Sequence, residues 1–371
     1  MSTTSVIPPG SESHRARPML PCILRSRLVC AVVLLGTAWF AAGCTPRVQA
    51  MGPATVEPAV LDGAIVVSDG YRLPTRVWPA VGKESYVIVG LHGFNDYSSA
   101  FAMPGEWWAE RGATTYAYDQ RGFGGTVDRG IWPGTGNLVS DLFDVIHAVR
   151  ARHGETPVYL AGASMGGAVI LAAYGAAGGD SAAPREFSTR RAVHPPPLVD
   201  GVVLAAPAVW GRATMNPIYR AVLWFTAHIV PGARVSGKNL GITPSDNVEM
   251  LRALGRDPLI IKDTRTDAVY GLVNLMDAAL EASSRLSVPA LVLYGEKDEI
   301  IPRGAAGLMA ERLDSRHRFA LYPNGYHMLF RDLQAEVIWR DVLAWIGDSE
   351  ASLPSGNLGD ESTASGTIRA E

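Results

Sequence analysis

One serine in this chain has the neighbours that nucleophilic catalysis requires. Ser164 lies in the sequence G-A-S-M-G. Residues 158–161 form a short apolar run typical of a buried strand, and the sequence A-V-I-L-A-A-Y over residues 168–174 favours a buried helix. Gly162 and Gly166 have no Cβ, so the strand and the helix can approach closely around the serine. The pattern predicts that the Ser164 hydroxyl lies at a sharp turn and at a helix N-terminus, where backbone N–H groups stabilise developing negative charge.

A serine hydroxyl is a weak nucleophile unless an imidazole removes its proton and a carboxylate orients that imidazole. The chain contains eight histidines. His327 lies in the sequence N-G-Y-H-M-L, directly after the last predicted strand. Functional residues in open α/β sheets gather at the carboxyl ends of strands, so the sequence predicts His327 as the general base. His92 precedes a glycine turn, and we interpret it as a structural residue.

Three carboxylates compete for the role of the acid. Glu296, Asp298 and Glu299 lie in the sequence G-E-K-D-E-I-I-P, which follows a predicted strand. Asp298 has the spacing G-x-x-D-x-x-x-P and completes the chain order Ser, Asp, His. The sequence therefore predicts Asp298 as the acid and the two glutamates as solvated residues.

Acyl transfer also needs hydrogen-bond donors directed at the developing oxyanion. The residue after the nucleophile supplies one backbone N–H, which is that of Met165. The second donor is expected from the loop that follows the predicted strand 86–91, where Phe94 comes directly after His92-Gly93. Phe94 and Met165 are thus the predicted oxyanion donors.

Eight predicted strands position these residues. The first two, residues 64–68 and 71–79, flank Asp69-Gly70 and predict a β-hairpin. The later strands alternate with helical segments, which predicts an α/β fold with a mostly parallel eight-stranded sheet and helices on both faces. The domain core is predicted over residues 61–207 and 276–348. Residues 349–371 are polar and are predicted to be a disordered tail.

The N-terminal region has the pattern of an export signal. Residues 1–43 combine several arginines with an uncharged apolar run, 28–42, that is short for a membrane span. The run ends in Ala-Ala-Gly before Cys44, and this resembles the lipobox of bacterial lipoproteins, in which the cysteine carries the lipid. We therefore expect an exported, membrane-anchored lipoprotein facing the periplasm or the cell exterior, with residues 44–60 as a tether. An ordinary cleaved signal and an uncleaved anchor are the alternatives.

Composition excludes several classes of partner. The chain has 371 residues, is 47% hydrophobic and carries a net charge of −3. The sequence has no run of Lys or Arg residues of the kind that binds nucleic acid, so a nucleic-acid partner is not expected. The three cysteines, Cys22, Cys30 and Cys44, all precede the predicted domain, which leaves it without a disulfide or a metal–thiolate site. No cofactor or metal is expected.

Several separate motifs together indicate a family. The segments H-G-F-N-D, Y-D-Q-R-G-F-G, G-A-S-M-G-G, G-E-K-D-E-I-I-P and G-Y-H-M-L resemble the monoglyceride lipase and lysophospholipase branch of the α/β-hydrolases, which is similar to the serine aminopeptidase group. The resemblance covers residues 61–347. It implies an α/β-hydrolase fold, a triad of Ser164, Asp298 and His327, and Phe94 and Met165 as oxyanion donors. Asp119 and Arg121 match a turn of the family whose role is structural. The family usually has a histidine where this chain has Ala163, which leaves the mechanism intact.

The resemblance also identifies an insertion. Residues 208–275 show helix-like segments without a clear strand and occupy the position of the family's helical cap, which selects substrates. Trp210, Trp224 and Phe225 belong to an apolar, aromatic part of this segment and are predicted to bind the substrate. Alternatively, these side chains serve only to pack the cap onto the core.

The predicted activity is hydrolysis of carboxylic esters such as monoacylglycerols or lysophospholipids through an acyl-enzyme. A serine peptidase or aminopeptidase of the same fold is one alternative, and it would need an anionic pocket for the substrate amine. A non-catalytic binding protein is another alternative, although an intact triad argues against it. A lipid or small ester is the expected substrate partner, and the N-terminal lipid is the expected link to a membrane.

Overall fold

The computed structural model describes residues 1–2, 45–176, 198–238, 241–314 and 316–357. Residues 3–43 of the predicted signal peptide, Cys44 and most of the predicted tail lie outside these residues. The described residues from Pro46 onward belong to one compact unit. Within the described residues, no helix is both long enough and apolar enough to span a membrane.

A large sheet forms the centre of the domain. The described strands are β1 (Ala59–Leu61), β2 (Ala64–Val66), β3 (Arg72–Trp78), β4 (Tyr86–Leu91), β5 (Ala113–Tyr118), β6 (Val158–Ala163), β7 (Gly201–Ala205), β8 (Arg234–Ser236), β9 (Asp263–Arg265), β10 (Ala290–Gly295) and β11 (His317–Tyr322). Nine of them form one sheet in the order β1-β2-β3-β5-β4-β6-β7-β10-β11. The strands from β5 to β11 in this order are all parallel, whereas β1, β2 and β3 pair antiparallel at one edge. The predicted mostly parallel sheet and the opening hairpin are confirmed.

Helices cover both faces of this sheet. The described α-helices are α1 (Ala102–Ala109), α2 (Thr135–His153), α3 (Met165–Ala176), α4 (Pro217–Ile229), α5 (Val248–Arg256), α6 (Thr266–Ala282), α7 (Arg303–Ala310) and α8 (Ala335–Gly347). Alternate side chains of β4 enter two different apolar clusters: Val87 and Val89 meet α2 and α3 on one face, and Ile88 meets α1 and α8 on the other. This period of two explains why a continuous apolar run forms a strand that is buried on both faces.

The sheet has one strand more than predicted, because residues of the predicted tether take part in the fold. β1 lies at the end of that segment and pairs with β2. Further upstream, the backbone N–H of Gln49 donates to the carbonyl of Trp132 at 3.0 Å, and that of Thr55 donates to Ser68 at 2.7 Å. A three-residue edge strand is too short to show periodicity, which is why the sequence did not reveal it.

The predicted start of the disordered tail, residue 349, is wrong, because the chain stays folded beyond it. Leu353 is buried, and the backbone N–H of Leu321 in β11 donates to the carbonyl of Asn357 at 3.1 Å. The N–H of Ser355 donates to the Asp341 carboxylate at 3.0 Å. Residues 349–357 therefore belong to the folded domain.

The insertion is not purely helical. It contains α4, α5 and a small antiparallel sheet of β8 and β9. α6 begins inside the predicted cap, continues past its predicted boundary and packs against α3 of the core. The insertion is therefore continuous with the core through this helix.

Candidate active site

Ser164 lies at the turn between β6 and α3 with a φ of 51°, a left-handed conformation that a residue with a side chain seldom adopts. Hydrogen bonds to the end of β7 and to the segment after it hold this backbone: the Ser164 N–H donates to the carbonyl of Ala205 at 2.9 Å, and the N–H of Ala208 donates to the Ser164 carbonyl at 3.0 Å. A Cβ on Gly166 would lie 2.1 Å from the carbonyl oxygen of Leu91. The glycine is thus required by the close approach of α3 to β4.

Asp298 and His327 are in direct contact. Nδ1 of His327 lies 2.9 Å from Oδ2 of Asp298, and the two side chains are 9% and 0% exposed. Oδ1 of Asp298 accepts the backbone N–H groups of Ile300 and Ile301, at 2.8 and 3.0 Å. A carboxylate oxygen that accepts from Nδ1–H leaves Nε2 of a neutral imidazole as the proton acceptor. Glu296 and Glu299 are more exposed than Asp298, as the sequence predicted.

Adjacent parallel strands bring the acid and the base together. β10 and β11 are neighbours, and their carboxyl ends carry the loops of Asp298 and His327. A Cβ on Gly295 would lie 2.5 Å from the carbonyl carbon of Gly325, so the two loops meet backbone to backbone. The N–H of Lys297 donates to Gly325 at 2.9 Å. These contacts fix the separation of the carboxylate and the imidazole.

The loop after β4 lies against the serine. A Cβ on Gly93 would be 3.5 Å from the Cβ of Ser164. Two donors hold the carbonyl of Gly93, namely Nδ1 of His92 at 2.8 Å and the N–H of Asp96 at 3.2 Å. Because the C=O and N–H of a trans peptide point in opposite directions, fixing this carbonyl also fixes the direction of the Phe94 N–H. Met165 is the first residue of α3, and its N–H therefore has no partner within the helix.

His92 is a fully buried residue of this loop. Its Nε2 accepts the backbone N–H of Gln120 at 2.9 Å, so the proton of the neutral ring is on Nδ1, which donates to Gly93. Burial lowers the pKa of His92, and this outweighs the opposite effect of the nearby Asp96 carboxylate. The structural role predicted for His92 is consistent with these contacts.

Asp119 and Arg121 hold the neighbouring loop after β5. The Asp119 carboxylate accepts the N–H groups of Ser98 and Gly125, at 2.9 and 2.7 Å. The Arg121 guanidinium donates to both oxygens of Asp141 in α2, and all of these groups are buried. The two side chains thus fix the loop that supplies the Gln120 N–H to His92.

The three aromatic residues predicted to bind the substrate differ in their surroundings. Trp210 is partly buried and packs against the main apolar cluster. Trp224 and Phe225 lie on α4 and are 49% and 55% exposed. Trp224 stacks on His228 with a ring-centroid separation of 4.5 Å. Trp224 and Phe225 are therefore too exposed to line an enclosed tunnel.

The second half of the insertion is hydrogen-bonded to both loops of the site. Residues 243–247 contact the loop that follows His327: the N–H of Met328 donates to Pro244 at 3.0 Å, and Ser245 Oγ donates to Asp332 at 2.6 Å. Residues 257–264 contact the loop that follows β4: the N–H of Ile261 donates to Asn95 at 3.0 Å, and Asn95 Nδ2 donates to Thr264 Oγ1 at 2.7 Å. By contrast, α4 packs mainly on α6.

Sequence reasoning missed two charged residues of these loops. Asp96 lies in the quoted H-G-F-N-D segment, and Arg331 follows the His327 loop. Their side chains form an ion pair in the structure. The available signal was a charged residue near each candidate catalytic residue: Asp96 ends the H-G-F-N-D segment, and Arg331 comes four residues after His327. The part of the chain that the structure describes holds no cluster of three or more His, Cys, Asp or Glu residues suited to a metal ion.

Comparison with known sequences finds lipases along most of the chain. A monoacylglycerol lipase of Mycolicibacterium smegmatis is 25% identical over 280 residues, which cover 75% of this chain and 93% of that protein. A monoglyceride lipase of Rattus norvegicus is 25% identical over 289 residues, which cover 76% of this chain and 89% of that protein.

Solved structures share the fold. A soluble variant of monoglyceride lipase from Saccharomyces cerevisiae aligns with a TM-score of 0.60 and 17% identity, over 81% of this chain and 96% of that one. The model of the serine aminopeptidase S33 family matches residues 82–334, which include Ser164, Asp298 and His327. Because this match covers well over half of the sequence, the chain belongs to the serine aminopeptidase S33 family of α/β-hydrolases.

Proposed function

We propose that this protein is a serine hydrolase that cleaves carboxylic esters of the monoacylglycerol type through an acyl-enzyme on Ser164. The contact of 2.9 Å between Asp298 and His327 is the observation that carries the proposal, because it provides an oriented base. Ser164 supports it as well, since this residue lies on a strained turn at the carboxyl end of another parallel strand of the same sheet. The relatives described as monoacylglycerol and monoglyceride lipases support the choice of substrate class.

We propose the following mechanism for these residues. Nε2 of His327 removes the Ser164 proton as Oγ attacks the ester carbonyl, and Asp298 stabilises the imidazolium that forms. The N–H groups of Phe94 and Met165 stabilise the oxyanion. His327 then protonates the leaving alcohol, and a water molecule activated by the same imidazole releases the fatty acid. The single base serves both half-reactions.

The exposed surface of α4 supports a lipid-borne substrate. Its exposed apolar side chains share one helix and the residue after it: Ile218, Tyr219, Val222, Trp224, Phe225, Ile229 and Val230. Residues 201–245 contain four Lys or Arg residues and no Asp or Glu. An apolar, aromatic face within a cationic segment matches the chemistry of an anionic lipid surface. We propose that α4 contacts the surface from which the ester is taken.

We also propose that the protein is exported and held at a membrane by a lipid on Cys44. The support comes from the sequence alone, namely the arginine-rich start, the short apolar run and the small residues before the cysteine. An anchor of this kind would keep α4 close to lipid.

Purified protein tests the proposed reaction directly. We expect wild type to react with a fluorophosphonate probe and to hydrolyse monoacylglycerols and p-nitrophenyl esters, and Ser164→Ala to lose all three reactions. Ser284→Ala, which removes an exposed hydroxyl, is the matched control and should behave as wild type. Hydrolysis of aminoacyl p-nitroanilides in preference to esters would instead indicate a peptidase. Esterase turnover by Ser164→Ala would overturn the mechanism.

A further inference from the structure

A buried ion pair joins the loop of the predicted oxyanion donor to the loop of the predicted base. Nη2 of Arg331 donates to Oδ2 of Asp96, and the side chains are 10% and 7% exposed. Asp96 follows β4, whereas Arg331 follows β11, and 235 positions separate them in the chain. The contact therefore spans the site between the two loops.

At one end, Asp96 controls the direction of a donor. Its backbone N–H donates to the carbonyl of Gly93 at 3.2 Å, the same carbonyl that His92 holds. Its Oδ1 accepts the N–H of Tyr97 at 2.8 Å, which closes the turn. A displacement of Asp96 would rotate the Gly93–Phe94 peptide and with it the Phe94 N–H.

At the other end, Arg331 belongs to the same compact turn as His327. The N–H of Arg331 donates to Met328 at 2.7 Å, and Oδ2 of Asp332 accepts the N–H of Tyr326 at 2.8 Å. The carbonyl of Arg331 accepts Nδ2 of Asn247 at 3.0 Å. Because these bonds bracket His327 on both sides, a movement of Arg331 would also move the imidazole.

We propose that Asp96 and Arg331 are a positioning pair that sets the separation between the Phe94 N–H and the His327 imidazole. This inference rests on the proposed function. Catalysis by a preorganised site requires the oxyanion donor and the base to be fixed together, since both act in the same transition state. A buried ion pair contributes little net stability compared with apolar residues of similar volume. We therefore assign to this pair the role of fixing the relative position of the two loops.

A double-mutant cycle tests the pair. We expect Asp96→Asn and Arg331→Gln each to lower kcat by roughly 10- to 100-fold, as a misplacement of about 1 Å does, with KM within about twofold of wild type. The rate of fluorophosphonate labelling should fall in parallel. The double variant should be no slower than the slower single variant, because either change alone breaks the same link. Arg331→Lys keeps the charge and should recover part of the lost kcat.

Asp267→Asn supplies the matched control. Asp267 is buried and pairs with Arg265 inside the insertion. Outside α6, its other hydrogen bonds within the described residues join it to Arg47 and Pro231, and neither of these residues belongs to either loop. We expect this variant to lose as much thermal stability as Asp96→Asn while keeping the wild-type kcat. Equal losses of kcat in the control, or additive losses of log kcat in the double variant, would overturn the positioning role.

The outcomes also separate this inference from the proposed function. A wild-type protein that neither reacts with the fluorophosphonate nor cleaves esters would overturn the proposed function and, with it, the inference. A reactive wild type whose labelling rate is unchanged in Asp96→Asn would overturn the inference alone.

Discussion

The two carboxylate oxygens of Asp298 have different partners, and only Oδ2 faces His327. Oδ1 accepts two backbone N–H groups, those of Ile300 and Ile301, while Oδ2 lies 2.9 Å from Nδ1 of the imidazole. The side chain is thus locked in one orientation by its own loop. This asymmetry makes the effect of a conservative substitution at Asp298 predictable.

Asp298→Asn should lower kcat by about 10⁴-fold, the effect of the equivalent change in a well-studied serine protease. The amide oxygen must take the Oδ1 position, since that position faces two N–H donors. The NH2 group then faces Nδ1 and favours the tautomer whose Nε2 carries the proton. Circular dichroism should show an intact fold. Glu296→Gln is the control, and a comparable loss of kcat in that variant would contradict the assignment of the acid.

Gly166→Ala should destabilise the fold. The new Cβ would lie 2.1 Å from the Leu91 carbonyl, and relieving this overlap costs roughly 1–3 kcal/mol or more. Gly255→Ala on α5 is the control, because within the described residues no atom beyond its chain neighbours and its own helix backbone lies within 4 Å of the added Cβ. Thermal unfolding should show a lower Tm for the first variant and an equal or higher Tm for the second. A wild-type Tm for Gly166→Ala would contradict the close approach of α3 to β4.

His92 should make the stability of the protein depend on pH. Burial lowers its pKa in the folded state below that of the unfolded chain, about 6.5, so below this pH the unfolded state binds more protons. The neutral His92 ring therefore contributes fully to the free energy of unfolding above about pH 6.5. As the pH falls below this value, the free energy of unfolding decreases by at most about 1.4 kcal/mol per pH unit.

Unfolding in urea between pH 5 and pH 7.5 measures this dependence. His92→Gln removes the titrating group while keeping an acceptor for the Gln120 N–H. We expect the variant to be less stable than wild type at pH 7.5 and to show a shallower loss of stability on acidification. Parallel profiles for the two proteins would assign the pH dependence to other groups.

Trp224→Ala and Phe225→Ala should weaken adsorption to anionic vesicles. Withdrawing a large aromatic side chain from lipid costs about 1.5–3 kcal/mol, or roughly tenfold or more in partitioning. Hydrolysis of a soluble acetate ester should be nearly unchanged, because it needs no lipid surface. Val81→Ala, at an exposed apolar residue of the β3–β4 turn, is the control. If the variants bind vesicles normally but lose the preference for longer acyl chains, these residues line an acyl site instead.

Cys44→Ser should release the protein from the membrane fraction or leave the precursor unprocessed, because the thiol is the site of the proposed lipid. Fractionation followed by immunoblotting measures this outcome. Cys30→Ser is the control and should fractionate as wild type. If Cys44→Ser fractionates and migrates like wild type, the lipoprotein prediction is wrong.

The contact between Asp298 and His327 could be anticipated from the sequence, because each residue follows an apolar strand and neighbouring parallel strands end at the same edge of a sheet. The Asp96–Arg331 pair could not be predicted in this way. Neither residue belongs to a periodic pattern, and their contact depends on how two loops pack across the site. Such a contact is a property of the tertiary fold alone.

The surface of α4 shows a different limit of sequence reasoning. Its apolar residues occur around most of the helix, and an all-round apolar helix is typical of a buried one. Ala227 is the one buried residue of this helix, because α6 is the only one of the described elements that packs closely against it. Apolar composition therefore drew attention to this helix but did not predict that Trp224 and Phe225 are exposed.

The hydrogen bonds of the insertion divide it into a fixed part and an exchangeable part. Residues 243–264 are bonded to the loops of Phe94 and His327, so changes there are constrained by the chemistry. α4 has few such ties and can acquire substitutions without disturbing the catalytic geometry. With the lipid-contacting role proposed for α4, substitutions in this one helix would change which lipids the enzyme encounters. A chimaera that exchanges only α4 between relatives should then inherit the donor's lipid preference while retaining its own turnover of soluble esters.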